Sequence, residues 1–263
     1  MDEELRNEGM WEEINRNRDF MKCPDFNHPS PDSDQQKKLT QPPLGNEAKG
    51  EVIQIAADFG AVLQHESYLD LLDSRRSERV YDAKTPLTQA QLAFLLWSVQ
   101  GVQEIRGANY ATLRLVPSGG ARHPFELYFL ARGVEGLPAG IYHYLPLAHV
   151  GEKAVAIEWI SEFADGDHFV QMLYGQKWAA AAPVVLFFTC VAYRAEWRYA
   201  IMAHRAVLID LGHAGQNVML SAAAMGLGSC CVAAYDQKLC DEAIGVDGAE
   251  EYTVYICTVG KKK

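Results

Sequence analysis

The sequence lacks the motifs by which several large enzyme classes are usually identified. There is no GxGxxG after a first strand and no GxxxxGK[ST], so neither a Rossmann dinucleotide site nor a P-loop is indicated. The histidines form no HxxxH or HExxH pair and the six cysteines form no CxxC pair, so we predict no metal site. Without a GxSxG elbow, a serine hydrolase has no support either.

Basic residues are scarce. The chain carries 24 Lys and Arg against 34 Asp and Glu, which gives a formal net charge of −10. An acidic protein has no general field that attracts nucleic acid or an anionic membrane surface, so we expect neither as a partner. Any phosphate group that binds must then be held by a local basic cluster.

Segments that would direct the chain out of the cytoplasm are also missing. Residues 1–11 are acidic and contain no apolar core, unlike a signal peptide. No apolar run reaches the roughly 18 residues that a membrane-spanning helix needs. Cys190, Cys230, Cys231 and Cys257 lie in apolar stretches, where free cysteines are usually buried. We therefore expect a cytoplasmic protein whose cysteines are thiols.

The chain does contain enough apolar material for one large domain. Of its 263 residues, 49% are hydrophobic. Residues 1–50 are polar and are interrupted by prolines, and we predict an extended or partly disordered arm there. Residues 51–263 are predicted to form the folded domain.

Hydrophobic periodicity in this domain alternates irregularly between helix and strand spacing. Helices are predicted over residues 66–76, 88–100 and 168–180, and a long helix from Arg194 or Arg198 to Met225. Strands are predicted over residues 126–132, 140–144, 184–190 and 252–259. This order predicts an α+β domain with helices packed around a central mixed or antiparallel sheet.

Three arginines and a serine follow the first of these helices within five residues. They are Arg75, Arg76, Ser77 and Arg79. A guanidinium group binds phosphate through paired hydrogen bonds and stays charged at any working pH. The alternative is that these side chains only complement the dipole of the helix C terminus and remain solvated.

Two segments of small residues are further candidates for a ligand site. They are Pro117, Ser118, Gly119 and Gly120 in the first, and Cys231, Val232, Ala233 and Ala234 in the second. The first can bring backbone N–H groups close to a ligand, or can be an ordinary tight connection. The second would allow a flat ring to stack on the backbone, unless it is only a buried strand.

Together these segments resemble the nitroreductase-like FMN flavoproteins. The resemblance covers residues 67–260 with few gaps, and within the family the chain looks like the branch that includes the thiazoline/oxazoline dehydrogenases. It is carried by Arg75-Arg76-Ser77-x-Arg79, Leu95-Leu96-Trp97-x-x-Gln100-Gly101, Pro117-Ser118-Gly119-Gly120-Ala121, Asp210-x-Gly212-His213-x-x-Gln216-Asn217 and Gly226-Leu227-Gly228-Ser229.

The resemblance implies a nitroreductase-like fold and an intertwined homodimer that shares each FMN site between subunits. Arg75, Arg76, Ser77 and Arg79 would hold the FMN phosphate, the ribityl chain and the pyrimidine edge of the ring. The segment from Pro117 to Gly120 would come from the partner subunit, and that from Cys231 to Ala234 would lie against flavin N5 and O4. Lys261 would reach the phosphate.

The same resemblance implies a reaction. FMN would be bound tightly but not covalently, and would pass hydride from NAD(P)H through N5 to a nitroaromatic, quinone or similar small acceptor. A first alternative is an FMN-dependent dehydrogenase that oxidises a thiazoline/oxazoline-type heterocycle or peptide with oxygen as acceptor. A second alternative is a flavin-binding protein without turnover.

One dipeptide bears on the choice between these reactions. The azoline dehydrogenases carry a Lys-Tyr pair ahead of the long helix for proton transfer, and this chain has Arg198-Tyr199. Arginine cannot act as a base in a protein, so the departure favours the reductase. Tyr199 is the candidate proton donor, and a packed structural tyrosine is the alternative.

Overall fold

The structure is a computed structural model of the chain and describes residues 8–22, 32–65, 67–163 and 166–263. The helices are α1 Glu8–Met21, α2 Tyr68–Ser74, α3 Gln89–Gln100, α4 Asp167–Met172, α5 Lys177–Ala180, α6 Tyr193–Tyr199, α7 Ala203–Ala224 and α8 Gln237–Ile244. The strands are β1 Val52–Ala56, β2 Val102–Arg106, β3 Ala111–Arg114, β4 Phe125–Ala131, β5 Gly140–Tyr144, β6 Ala154–Glu162, β7 Val184–Val191, β8 Leu227–Val232 and β9 Glu251–Lys261.

A seven-stranded sheet forms the centre of the molecule, in the order β1-β6-β5-β4-β7-β9-β8. Each pair of neighbouring strands runs antiparallel. Strands β2 and β3 form a separate antiparallel hairpin. The α+β prediction is confirmed, with an antiparallel rather than a mixed sheet. Strand β8 lies at one edge of the sheet, which matters for the site described below.

Alternation along the strands divides the core into two layers. Successive side chains of β4 face opposite sides of the sheet, as a period of two requires. Leu127 and Phe129 pack on the side of α3 and α7, whereas Tyr128 and Leu130 pack on the side of α4. Helices therefore cover both faces of the central strands.

Helix α3 lies where its sequence predicts. Thr88 caps its N terminus by accepting a hydrogen bond from the Gln91 N–H, and the Gln91 side chain accepts from the Thr88 N–H in return. Gly101 ends the helix, and an added Cβ there would lie 2.5 Å from the Trp97 carbonyl oxygen. Both boundaries were predicted from the same residues.

Two predicted helices are interrupted in the structure. The long helix divides into α6 and α7 at Ala200, whose φ of 47° lies in the left-handed region that a helix cannot continue through. The helix predicted over residues 168–180 divides into α4 and α5 at Tyr174 and Gly175, which also have positive φ. Tertiary packing decides such breaks, and the periodicity of the sequence does not record them.

One helix lies within the region predicted as an arm. Residues 8–21 form α1, because the prolines begin only at Pro24 and leave this stretch free to become helical. Cys23, Pro24, Pro29 and Pro31 lie outside the described residues. The division of the chain at residue 50 stays a prediction.

Residues 32–50, called the strap, lie across the body of the domain. The Gln35 N–H donates to the Trp197 carbonyl oxygen at 2.8 Å, and the Trp197 indole donates to the Leu39 carbonyl oxygen at 3.0 Å. The Gln35 amide also donates to the Tyr110 hydroxyl at 2.7 Å. The strap thus fixes helix α6 against the turn that precedes β3.

Candidate functional site

The arginine segment lies along the exposed edge of the sheet. It leaves α2 in an extended conformation at Arg75, and Ser77 then pairs with Ser229 of β8 in a parallel bridge. The Glu78 N–H donates to the Ser229 carbonyl oxygen at 2.9 Å. The arginine segment therefore pairs with β8 at Ser229, and the residues of β8 after Ser229 lie beyond this pairing.

The three guanidinium groups have few partners within the protein. Arg76 donates to the carbonyl oxygens of Asp73 at 2.6 Å and of Arg75 at 2.8 Å. Arg79 lies over the ring of Trp178, 5.4 Å from its centroid. In the described part of the chain, none of the three forms an ion pair with a carboxylate. Uncompensated cations are unusual in a chain with a net charge of −10.

Two cysteines of β8 lie within the electrostatic influence of these cations. Burial raises the pKa of the Cys230 thiol, and the positive charge of Arg79 opposes that rise. A hydrogen bond from the Cys257 thiol lowers the pKa of the Cys231 thiol; burial opposes this, and the charge of Arg75 adds to the lowering. Arg75 and Arg79 therefore both act on the middle of β8, and Ser77 also contributes a hydrogen bond at Cys230.

The second small-residue segment continues from this point. Cys231 and Val232 belong to β8, and Ala233 and Ala234 follow as exposed residues outside it. The Ala234 carbonyl oxygen accepts a hydrogen bond from the Gln176 amide at 2.8 Å. Small side chains at the end of an edge strand leave backbone groups accessible to a flat ligand.

Lys261 is the last residue of β9, the strand that pairs with β8. It is opposite Leu227 in the β8–β9 pairing, and its ammonium group donates to the Gln91 side chain at 3.0 Å. Gln91 belongs to the N-terminal cap of α3, so the lysine is held at a helix N terminus. We call Arg75, Arg76, Ser77, Arg79, Cys231, Val232, Ala233, Ala234 and Lys261 the arginine corner.

The loop from Pro117 to Gly120 lies elsewhere in the chain, against α7. The Gly119 N–H donates to both carboxylate oxygens of Asp210, at 3.1 and 3.0 Å. Burial raises the pKa of the Asp210 carboxyl, although hydrogen bonds from the Ser118 hydroxyl and the Gly119 N–H oppose the rise. The Ser118 hydroxyl also accepts from the His123 N–H at 2.9 Å.

Tyr199 belongs with this loop. A Cβ added at Gly120 would clash with the Tyr199 hydroxyl group, and the φ of 57° at Gly120 also favours glycine. Three non-glycine residues nearby have left-handed backbones, with φ of 53° at Ala121, 44° at His123 and 47° at Ala200. Each such conformation costs about 1–3 kcal/mol, and strained backbone of this kind clusters at functional sites.

The structure therefore brings the predicted residues together in two groups. The arginine corner forms one, and Pro117 to Gly120 with Tyr199 forms the other. No hydrogen bond or ion pair between described residues joins them within one chain. The first group has the charges and the open strand edge that an anionic, flat ligand needs.

A family model described as the nitroreductase family matches residues 72–261. The chain belongs to the nitroreductase family. The family resemblance inferred from the motifs is thus confirmed, and the chain is an oxidoreductase of a family whose members are FMN flavoproteins.

Two relatives illustrate the range of the nitroreductase family. The nitroreductase-like protein MJ1384 of Methanocaldococcus jannaschii is 33% identical over 193 residues, which are 73% of this chain and 90% of that protein. The trifolitoxin-processing protein TfxB of Rhizobium leguminosarum bv. trifolii is 32% identical over 116 residues, 43% of this chain and 30% of its own length. The second relative agrees with the branch suggested by the motifs.

Solved structures share the nitroreductase fold. A nitroreductase from Anabaena variabilis superposes with a TM-score of 0.62 and 25% identity, covering 92% of this chain and 50% of its own. A chain of the E. coli microcin synthetase McbBCD complex, solved with truncated pro-MccB17 bound, gives a TM-score of 0.59 over 99% of this chain and 96% of its own. At 18% identity, the latter similarity concerns the fold alone.

Sequence reasoning missed several residues around this nitroreductase site. Trp178 under Arg79 and Gln91 under Lys261 were not singled out, and neither was Tyr110. The Arg122 guanidinium lies 4.7 Å from the centroid of the Tyr110 ring, and Arg198 donates to the Tyr110 hydroxyl at 2.5 Å. A lone aromatic residue carries no motif, so only its contacts identify it.

The described residues contain neither a metal-binding cluster nor a membrane-spanning helix. No group of three or more His, Cys, Asp or Glu side chains there is arranged to hold a metal ion. Within the same ranges, no helix combines the length and apolar character needed to cross a bilayer.

Proposed function

We propose that this protein is an FMN-dependent oxidoreductase that takes electrons from NAD(P)H and delivers them to a nitroaromatic, quinone or similar small acceptor. The observation that carries the proposal is the arginine corner: cations without carboxylate partners, gathered at an open strand edge in an acidic protein. Membership of the nitroreductase family supports the choice of FMN.

The charges of the corner fit the phosphate of FMN. Arg75 and Arg79 both lie close to β8, and Lys261 is fixed on the neighbouring strand. A hydrogen bond to a charged group contributes about 1.5–3 kcal/mol, so a few such contacts suffice for tight binding. Positive charge beside the pyrimidine edge of the ring would also stabilise the negative charge that reduction places there.

The edge of β8 fits the isoalloxazine ring. Beyond Ser229, the strand has its partner β9 on one side, and the described chain adds no further strand on the other. Backbone groups from Cys231 to Ala234 are therefore positioned to donate and accept hydrogen bonds in the plane of a flat ligand. When bound, FMN supplies the two-electron chemistry, and these residues orient the ring and exclude water from one edge.

A homodimer would complete this site. Leu208 and Ile209 of α7 are 53% and 52% exposed, although they lie in the middle of a helix whose other face is buried. Apolar residues exposed side by side on a long helix are typical of a subunit interface. The loop from Pro117 to Gly120 packs on the same helix, so a partner subunit seated on α7 would carry its own loop toward the arginine corner.

An anaerobic spectral titration tests the proposed reaction. Purified protein should be yellow, NADH or NADPH should bleach its flavin absorbance, and an added quinone or nitroaromatic should restore the absorbance. Protein that keeps FMN but stays oxidised with both nicotinamides and a panel of acceptors would instead be a flavin-binding protein without turnover.

The proposed dimer is tested by light scattering on Leu208→Glu. A carboxylate on the apolar face of α7 should give monomers and lower flavin content, because each site would lose the partner's loop. Tyr174→Glu is the matched control, since Tyr174 is also exposed, at 64%, but lies between α4 and α5. A Leu208→Glu variant that stays dimeric with full FMN would exclude this interface.

The dehydrogenase of a thiazoline/oxazoline-type heterocycle or peptide remains the second candidate, because part of the chain is 32% identical to a trifolitoxin-processing protein. Arg198 replaces the expected lysine, and its guanidinium is bonded to the Tyr110 hydroxyl at 2.5 Å. Tyr199 would then be the remaining proton donor. Reduction by an azoline peptide followed by reoxidation in air, with no response to NAD(P)H, would favour this candidate over the first.

A further inference from the structure

Two cysteines lie side by side on neighbouring strands of the sheet. Cys231 of β8 is directly opposite Cys257 of β9, and the two Sγ atoms are 2.9 Å apart. A disulfide bond has a length of about 2.05 Å, so the pair is a dithiol whose sulfur atoms need only a small movement to bond. Side chains directly opposite each other in an antiparallel pair have Cβ atoms only about 4.5–5.5 Å apart, which places the two sulfur atoms within reach of each other.

The two thiols differ in accessibility. Cys257 is fully buried, whereas Cys231 is partly exposed. The Cys231 Sγ lies 3.8 Å from the carbonyl oxygen of Gly215 on α7. A Cβ at Gly215 would lie 3.6 Å from that sulfur and 2.8 Å from the ring of Tyr255, so glycine keeps this space open. A small reagent can reach Cys231 but not Cys257.

The two thiols also differ in acidity. The hydrogen bond from Cys257 lowers the pKa of Cys231, with a smaller lowering from the charge of Arg75, although burial opposes both. Burial raises the pKa of Cys257 well above its usual value. The accessible sulfur is therefore the better nucleophile, and the buried one stays protonated beside it.

The remaining described cysteines do not offer such a pair. Burial raises the pKa of Cys190 to about 12, and Cys240 is also fully buried. Cys230 precedes Cys231 in the strand and pairs with Thr258, so its side chain faces the opposite side of the sheet from Cys257.

We propose that Cys231 and Cys257 are a redox modification site that forms a cross-strand disulfide when a hydroperoxide reaches the protein. The Cys231 thiolate attacks one oxygen atom of hydrogen peroxide: an S–O bond forms, the O–O bond breaks, and the leaving hydroxide takes up a proton to become water. The Cys257 thiol then attacks the sulfenic sulfur, so that an S–S bond forms, the S–O bond breaks and a second water leaves. Two thiols are oxidised and one peroxide is reduced.

This modification would act on the arginine corner, because Cys231 begins the backbone segment there. Closing the S–S bond would draw the middle of β8 toward β9. The inference rests on the two thiols and their neighbours, so it can be tested whether or not FMN is bound.

Peptide mapping tests the proposal directly. Reduced, folded protein is treated with hydrogen peroxide, blocked with N-ethylmaleimide and digested with trypsin. Cleavage at Arg205, Lys238 and Lys261 leaves Cys230 and Cys231 in one peptide and Cys240 and Cys257 in another. We expect these two peptides to appear joined, with the loss of two hydrogen atoms, and to separate on treatment with dithiothreitol.

Serine variants assign the bridge. Cys230→Ser and Cys240→Ser should keep the joined peptides, whereas Cys231→Ser and Cys257→Ser should lose them. In Cys257→Ser, the sulfenic acid on Cys231 has no resolving thiol and should be trapped by dimedone, which gives a positive signal independent of the bridge. A bridge that survives Cys231→Ser, a bridge through Cys240, or the absence of both bridge and dimedone adduct would overturn the proposal.

Discussion

Two groups of arginines in this protein have opposite environments. Arg114 and Arg194 are buried beneath the strap, at 7% and 3% exposure, and each contacts oxygen atoms within the protein. Arg76 and Arg79 are exposed at the sheet edge, and no carboxylate in the described chain pairs with them. Arginine side chains thus complete a buried polar network in one region, and in the other they leave positive charge available to a ligand.

The buried group is a network that connects the strap to the sheet. The Arg194 Nη1 atom lies 2.6 Å from a carboxylate oxygen of Glu126, and the other oxygen of that carboxylate is 3.0 Å from the His143 ring. Burial alone would raise the pKa of Glu126, but the charge of Arg194 and the hydrogen bond from His143 lower it to about 2. Arg114 donates to the Leu44 carbonyl oxygen of the strap at 2.9 Å.

The contrast separates structural charge from binding charge. A buried ion must be compensated within the protein, because transfer from water into the interior is costly. An exposed cation has no such requirement and can be compensated by a ligand instead. Arginines without carboxylate partners at an accessible edge are therefore better indicators of a phosphate site than the number of arginines in the sequence.

Removing a buried arginine should have the largest effect. Arg194→Met leaves the Glu126 carboxylate without its ion-pair partner, and the loss of one member of a buried pair typically costs about 3–5 kcal/mol. Urea denaturation should show this loss in the free energy of unfolding. Arg106→Ala is the control, because the Arg106–Glu104 pair is 61% and 52% exposed and exposed ion pairs contribute little to stability. Equal losses of unfolding free energy in Arg194→Met and Arg106→Ala would contradict the distinction between buried, structural arginines and exposed ones.

His123, which lies close to the buried network, should make the stability of the protein sensitive to acid. Burial lowers the pKa of His123 from 6.5 to about 3, helped by the charge of Arg114. The folded state therefore keeps His123 neutral while the unfolded chain takes up a proton, so stability is lost as pH falls from 6.5 toward 3. The slope from one such group is at most about 1.4 kcal/mol per pH unit.

His123→Gln is the variant that isolates this contribution. Its free energy of unfolding should fall less steeply between neutral pH and about pH 5 than that of the wild type. His168→Gln is the matched control, since His168 is an exposed histidine at the start of α4. Identical pH profiles for His123→Gln and the wild type would show that His123 is not held neutral by burial.

Removing a corner arginine should have the smallest effect on stability. Arg79→Ala gives up the contact with Trp178 and the interaction with the Cys230 thiol, and an exposed cation–π contact contributes about 0.5–1 kcal/mol. Urea denaturation of flavin-free protein measures this loss of unfolding free energy, and Arg194→Met is measured under the same conditions for comparison. A loss as large as that of Arg194→Met would mean that the corner is part of the structural core.

Local signals in the sequence predicted part of this arrangement well. Thr88 and Gly101 mark the ends of α3, and strand β5 lies at residues 140–144 as its alternation indicates. Strands β1, β2, β3 and β6 and helix α8 were not predicted. The break at Ala200 also escaped, since a left-handed alanine is imposed by packing around Gly120 and Tyr199.

The sequence predicted one part of the candidate site and its surroundings and missed another. The arginine corner could be proposed because its residues fall in short motifs, and the structure gathers them around β8. The buried network could not, because Arg194, Glu126 and Asn46 are far apart in sequence and are brought together only by the fold.

The most direct test of the arginine corner compares two ligands that differ by the phosphate group alone. FMN and riboflavin are titrated into flavin-free wild type, Arg75→Ala, Arg79→Ala and the remote control Arg106→Ala. The wild type and Arg106→Ala should strongly prefer FMN, and each corner variant should lose about 1.5–3 kcal/mol of FMN affinity with little change for riboflavin. Unchanged FMN affinity in both corner variants would contradict the assignment of these arginines to the phosphate.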